Sequence, residues 1–283
     1  MTTRIFISVD MEGVAGVTSW DQVLRGGHGY PRAQELMTEE ANAAIRGAFA
    51  GGADEVLVND SHGTMDNLIP DRLDRRARLV HGGPRMACMA HGVRAGDAMA
   101  VFVGYHAPAG DEGVLSHTFS AHFTELRVNG QPMSEAEVNG MYAAALGVPV
   151  GVLSGDDRIC QIARKAFPGV TTVEVKRAEG FTAADTLAPA DAREQIEEAV
   201  AEAAPRAGEL RADPVPDALT LEVDFALPVA AELAATVPGS RRVGGRTLAR
   251  EVEGAEELVS LVMAWYYLAS IGVQQRARLF GPR

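Results

Sequence analysis

IFISVDMEG, residues 5–13, is an apolar, β-favouring run, Ile5–Val9, that stops at two carboxylates, Asp10 and Glu12. Comparable runs recur at Glu55–Val58, Ala98–Val103, Pro149–Leu153 and Val170–Val175. Between most of them lie alanine-rich segments with helical spacing, such as Ala33–Phe49 and Glu137–Leu146. Continuous apolar strands that alternate with helices predict an α/β fold, a mostly parallel sheet with helices on both faces. Leu219–Phe225 reads as a later strand and Glu256–Ser270 as a closing helix, so a C-terminal α/β subdomain is expected as well. Residues 191–216 are rich in Ala, Glu, Arg and Pro, which predicts an exposed helix and then a prolyl linker over Asp213–Asp217. The chain is therefore read as one domain, 1–283, with a subdomain division near 180–215.

Bulk properties narrow the function classes. The 283 residues are 47% hydrophobic and 23% charged, ordinary values for a chain with a sizeable core. A net charge of −12 would be repelled by phosphate, so neither nucleic acid nor an anionic membrane is an expected partner. Cys88 and Cys160 lie far apart and form no CxxC pair, which fits a reducing, cytoplasmic compartment. The N-terminal apolar run is broken too early for a signal peptide. No apolar stretch reaches about 18 residues, the length a membrane helix needs.

The chemistry sits where strands end. In open parallel sheets, ligands bind beyond the carboxyl ends of the strands. Here Ile5–Val9 runs into Asp10 and Glu12, Glu55–Val58 into Asp60 and His62, and Ala98–Val103 into His106. Alternation along a strand points Asp10 and Glu12 the same way. Two dry carboxylates on one edge repel each other, and a divalent cation between them removes that cost. Added imidazoles turn such a set toward zinc, although manganese, cobalt or iron could also use it. Each residue alone has a plainer reading: Asp10 as a cap, Glu12 as a solvated turn, His62 and His106 as satisfied structural histidines. Glu135, after Ser134 at an expected helix start, could simply complement the helix dipole. His117 could be a loop histidine or a proton carrier beside a metal pair.

In order, the chain carries SVDMEG (8–13), TEEAN (38–42), EVLVNDSHG (55–63), GYHA (104–107), SHT (116–118) and SGDD (154–157). These segments resemble the zinc-dependent D-aminopeptidase family of bacterial dipeptide-transport operons, over roughly residues 4–180 and more loosely beyond. The resemblance implies two zinc ions per chain, with Asp10 bridging them and Glu12, His62, His106 and Glu135 as further ligands. It puts His117 at the position proposed as catalytic; chemically, a hydroxide bridging the metals is the better nucleophile, and His117 the proton carrier or oxyanion stabiliser. It also implies a homo-oligomer, a ring-like decamer whose sites face an inner chamber.

The expected activity is removal of the N-terminal residue, by resemblance a D-residue, from short peptides or amino-acid amides. Asp60 and Asp157 are candidates for supporting or substrate-amine contacts. Two alternatives stand beside this reading. One is a two-metal hydrolase of another ester or amide, such as a phosphoesterase. The other is a non-catalytic metal-binding homologue.

Overall fold

A computed structural model describes residues 2–280. Strands β1 (Arg4–Val9), β2 (Glu55–Asp60), β3 (Arg78–Val80) and β4 (Met99–Tyr105) form the first half of the main sheet. A hairpin, β5 (Phe123–Val128) and β6 (Gln131–Pro132), leaves it, and β7 (Val150–Asp156), β8 (Thr171–Gly180) and β9 (Ala183–Thr186) return to it. The order is β3-β2-β1-β4-β7-β8-β9, parallel except at the antiparallel edge strand β9. Registers pair Val9 with both Asp60 and Val103, so the ends of β1, β2 and β4 finish side by side.

The period-two pattern divides β1 between two cores. After the single-turn helix α1 (Trp20–Val23), α2 (Tyr30–Ala50) and later α5 (Pro189–Ala203) pack against Ile5, Ile7 and Val9, together with Val58 and Val101. Phe6 faces the other way, in a cluster with Phe102, Tyr105 and Leu153. Near that second face lie α3 (Glu135–Ala145) and α4 (Asp157–Ala166). Helices on both faces explain why the strands carry few polar side chains.

A second, five-stranded antiparallel sheet follows, in the order β11-β12-β10-β5-β6. Its later strands are β10 (Ala218–Phe225), β11 (Arg241–Arg242) and β12 (Thr247–Glu253). The later α/β layer thus borrows its β5–β6 hairpin from the middle of the chain, and a cut within 180–215 would part β10 from β5. The hairpin turns at Asn129-Gly130, both at positive φ, 52° and 76°. Helices α6 (Pro228–Ala234) and α7 (Gly254–Phe280) pack with this sheet through Ala231, Leu258, Val262 and Trp265. No helix among the described residues is long and apolar enough to cross a membrane.

Strands and helices appear where the pattern placed them, with extended ends. β2 runs on through Asp60 because pairing with β1 persists, and β4 through Tyr105 because it still pairs with Gly155 of β7. The helix expected to be exposed is half-buried instead: Ile196 and Val200 of α5 lie in the α2 core. Gly47 allows that crossing, since a Cβ there would sit 2.4 Å from the Glu197 carbonyl oxygen. The segment Asp213–Asp217 carries no regular structure, as its prolines require.

Trp265 is fully buried, packs edge-on to Phe225 with ring centroids 6.3 Å apart, and donates its indole N–H to Ser240 Oγ at 3.1 Å. Trp265→Ala should therefore cost about 3–5 kcal/mol in denaturant titrations.

Candidate metal centre

The main sheet delivers its ionisable residues to one edge. Ser61 N–H donates to the Val9 carbonyl at 2.8 Å and Asp10 N–H to that of Val103 at 2.8 Å, so the three chains stay paired one step past their strands. Gly13 N–H then donates to Gly104 O at 2.7 Å. A Cβ on Gly13 would lie 1.9 Å from the Tyr105 oxygen, which is why the loop after Glu12 needs glycine there. Glu135 arrives from the other layer, as the first residue of α3 behind the N-cap Ser134, whose side chain closes a capping box with Glu137.

The five expected ligands and His117 converge. Asp10, Glu12, His62, His106 and Glu135 are all buried. His62 Nδ1 is 2.9 Å from Glu12 Oε2 and 3.3 Å from Asp10 Oδ1. His106 Nε2 is 3.3 Å from Asp10 Oδ2 and 3.6 Å from Glu135 Oε2. His117 Nε2 is 3.9 Å from both Glu12 Oε1 and Glu135 Oε1, and its ring stacks on His106 at 4.3 Å.

Each imidazole is tethered through its other nitrogen. His62 Nε2 is 2.8 Å from the Val23 carbonyl, His106 Nδ1 2.9 Å from Ala107 O, and His117 Nδ1 2.8 Å from Leu115 O. A carbonyl only accepts, so those nitrogens carry the protons. In the neutral rings the remaining nitrogens turn lone pairs toward the carboxylates.

Lone pairs facing carboxylates make a poor apo arrangement and a good metal site. Asp10 Oδ2 and His106 Nε2 are buried without hydrogen-bond partners. Ligands about 2.1 Å from a tetrahedral zinc lie about 3.4 Å apart, close to the 3.3 and 3.6 Å separations about His106. Two triads, Asp10–Glu12–His106 and His106–His117–Glu135, have donor atoms mutually within 4.8 Å. The mixed carboxylate–imidazole donors suit zinc and admit other divalent first-row ions.

Charge pulls every proton equilibrium here. Burial lifts the Asp10 carboxyl, and Glu12 lifts it further. Burial also pushes Glu12 up, but His62, then His117 and His106, hold it well below the usual range. At Glu135 burial is likewise outweighed by His106. Burial would lower His62 and His106, yet Glu12 and Glu135 respectively raise them well above the ordinary imidazole value. Without a cation, protons are drawn in to take its place.

The other expected residues separate. Asp60 is fully buried and accepts from the Asn67 and Leu68 N–H groups, both at 2.6 Å, so it braces the loop that follows His62. Asp157 lies apart: its Oδ1 accepts from Ala178 N–H at 2.9 Å, and it lines neither cavity at the cluster. Its neighbour Asp156 caps α4, which turns Asp157 toward β8. His28, His81 and His91 are exposed and His122 half-buried.

Two cavities adjoin the cluster. One, of about 80 Å³, is lined by Met65, Cys88, Met89, Met263, Tyr266 and Tyr267. The other, of about 360 Å³, is lined by Trp20, Leu24, Arg25, Phe119, His122 and Tyr266. Trp20 also meets the His117 ring edge-on at 5.6 Å. Met65, Cys88, Leu115 and Phe119 hold positive φ of 62°, 45°, 53° and 57° at this site, the kind of strain that surrounding structure must impose. The sequence reading missed these residues, because loop residues from distant segments share no spacing. It also missed Lys176, a buried ammonium that burial brings down to about 8, and left Glu40 of TEEAN without a role although burial lifts it to about 7.

Comparison with known proteins places the fold and the family. The Peptidase_M55 family model, described as D-aminopeptidase, matches residues 3–264. A D-aminopeptidase of Bacillus subtilis (strain 168) is 36% identical over 244 residues, 86% of this chain and 89% of its own. A solved structure, the Zn-dependent D-aminopeptidase DppA from Bacillus subtilis, described as a self-compartmentalizing protease, is similar at a TM-score of 0.91 and 33% identity. That likeness covers 95% of this chain and 98% of that one. Strand order, converging side chains and these likenesses agree, and the chain belongs to the D-aminopeptidase family of peptidases.

Proposed function

We propose that this chain is a zinc-dependent D-aminopeptidase that releases the N-terminal residue of short peptides or amino-acid amides, using two zinc ions held by Asp10, Glu12, His62, His106 and Glu135. The observation that carries the reading is the orphaned pair Asp10 Oδ2 and His106 Nε2, buried and 3.3 Å apart. Asp10 offers oxygens to both sides of the cluster, toward His62 and toward His106, as a bridging carboxylate must. A bound zinc pair supplies Lewis acidity for the scissile carbonyl and an acidified water.

The chain's own groups do the rest. His117 is the most exposed of the three imidazoles, with 17% of its side chain accessible against 9% for His62 and 1% for His106. Its Nδ1–H is fixed on Leu115 O, so Nε2 can take a proton as water adds and return it to the departing amine. The open cavity with Trp20 and Phe119 has room for a short peptide, and the carboxylate-rich cluster attracts its α-ammonium group. Among the described residues lining the two cavities the only Lys or Arg is Arg25, already paired with Asp66 at 2.6 Å, which disfavours a phosphoester substrate. We further propose a ring-like homo-oligomer, a decamer. Its support is the self-compartmentalizing relative and exposed apolar side chains such as Leu24, Phe181 and Tyr267.

Asp10→Ala should abolish hydrolysis of D-alanyl dipeptides and lose both ions by elemental analysis; a variant that kept two metals per chain would refute the bridging role. His117→Ala should retain its metal while turnover drops about 100-fold or more. Zinc uptake should also depend on pH. His62 and His106 keep their protons above the ordinary 6.5, and a ligand nitrogen must be bare. Their protonation stabilises the metal-free chain below that value and is lost as pH rises through the raised ones. Zinc affinity should therefore climb as the pH is raised above 6.5 in chelator competition. A flat profile would contradict the assignment.

A further inference from the structure

The loop that carries Glu12 is itself buried: Met11, Val14, Ala15 and Val17 are wholly inaccessible. A buried loop must find partners for its backbone polar groups. Here they come from distant side chains. Glu40 of α2 accepts from Ala15 N–H at 2.9 Å, and Thr186 of β9 from Gly16 N–H at 3.0 Å. Lys176, at the heart of β8 and 3% exposed, donates from Nζ to the carbonyls of Glu12, Val14 at 3.0 Å and Val17 at 2.6 Å.

An ammonium has three protons, and three carbonyls of one loop receive them. Burying that charge is costly unless all its donors are used, and among the described residues no carboxylate lies within ion-pairing distance of it. The carbonyls it gathers belong to Glu12 and to the segment immediately after it, so the ammonium fixes the peptide plane from which the Glu12 side chain departs. The buried carboxylates of Asp156 and Glu40, and then those of Glu12 and Asp10, favour its positive charge.

We infer that Lys176 is a positioning residue for the metal centre: its clamp on the carbonyls of Glu12, Val14 and Val17 sets the Glu12 carboxylate for metal binding. This rests on the zinc reading above. The test is zinc affinity of purified metal-free protein, measured by competition with a chromophoric chelator, so that it does not depend on turnover. Lys176→Met removes all three donors at similar volume. The expected result is a zinc affinity about 10–100-fold weaker, the range for lost partners of a metal ligand. Lys176→Gln, which still donates, should fall between the two and serves if the Met variant does not fold.

Val173→Ala provides the structural control. Val173 is buried on the same strand but touches none of the loop carbonyls, so it should lower thermal stability and leave zinc affinity at the wild-type value. Folded Lys176→Met with wild-type affinity, or an equal loss in Val173→Ala, would overturn the inference. A wild-type chain that took up no zinc would instead sink the metal reading, and this one with it.

Discussion

Three buried carboxylates gathered about His62 and His106 are the constraint around which this molecule is arranged. Like charges about 4 Å apart repel by about 4 kcal/mol at a protein's effective dielectric, and burial removes the water that would otherwise relieve them. Asp10, Glu12 and Glu135 are held in that condition by backbone they do not control: a central strand end, a glycine-dependent loop and a capped helix start. Their repulsion is balanced from outside, by imidazoles whose far nitrogens are tethered to carbonyls. The site is thus an anionic cage with pre-aimed lone pairs, and a divalent cation is the compact charge that satisfies it.

The parallel sheet is what makes such a cage affordable. Because β1 is central and its neighbours run the same way, consecutive strands end at one edge, and residues tens of positions apart meet there with little loop between them. The antiparallel layer then contributes what the sheet edge lacks. Glu135 follows the β5–β6 hairpin, and α7 brings Met263 and Tyr266 over the cluster. Catalytic function therefore depends on two layers being packed together, with Phe102 and Tyr105 on one side of that contact and Phe123 and Leu126 on the other.

Much of this was legible in the sequence because strand ends are legible. Apolar runs that stop at Asp10, His62 and His106 state both a strand and a candidate ligand, and the motif resemblance supplied Glu135, which no spacing would have joined to the rest. Legibility failed where residues act through the backbone. Asp157 read as a candidate for a supporting or substrate-amine contact, and the fold sets it beside Ala178 of β8, one residue past the cap of α4. The helix after Ala188 looked exposed because its alanines hide a buried stripe, with Ile196 and Val200 as its only large members. Lys176 gave no sign at all: a lone lysine after Val175 reads as a solvated strand end, and only the folded chain shows three carbonyls waiting for it.

That last case bears on how such a centre keeps its shape while its charge changes. A metal site must pass through a state in which the ions are absent and the carboxylates repel. If side-chain packing alone held Glu12, repulsion from Asp10 would swing it away, and each loading event would have to reorder it at an entropic cost. Here the loop is pinned by Lys176, Glu40 and Thr186 from three separate elements, and Gly13 locks it against β4. None of those contacts involves the ligand oxygens. Preorganisation is therefore stored in the backbone, where the arrival or loss of a cation cannot erase it.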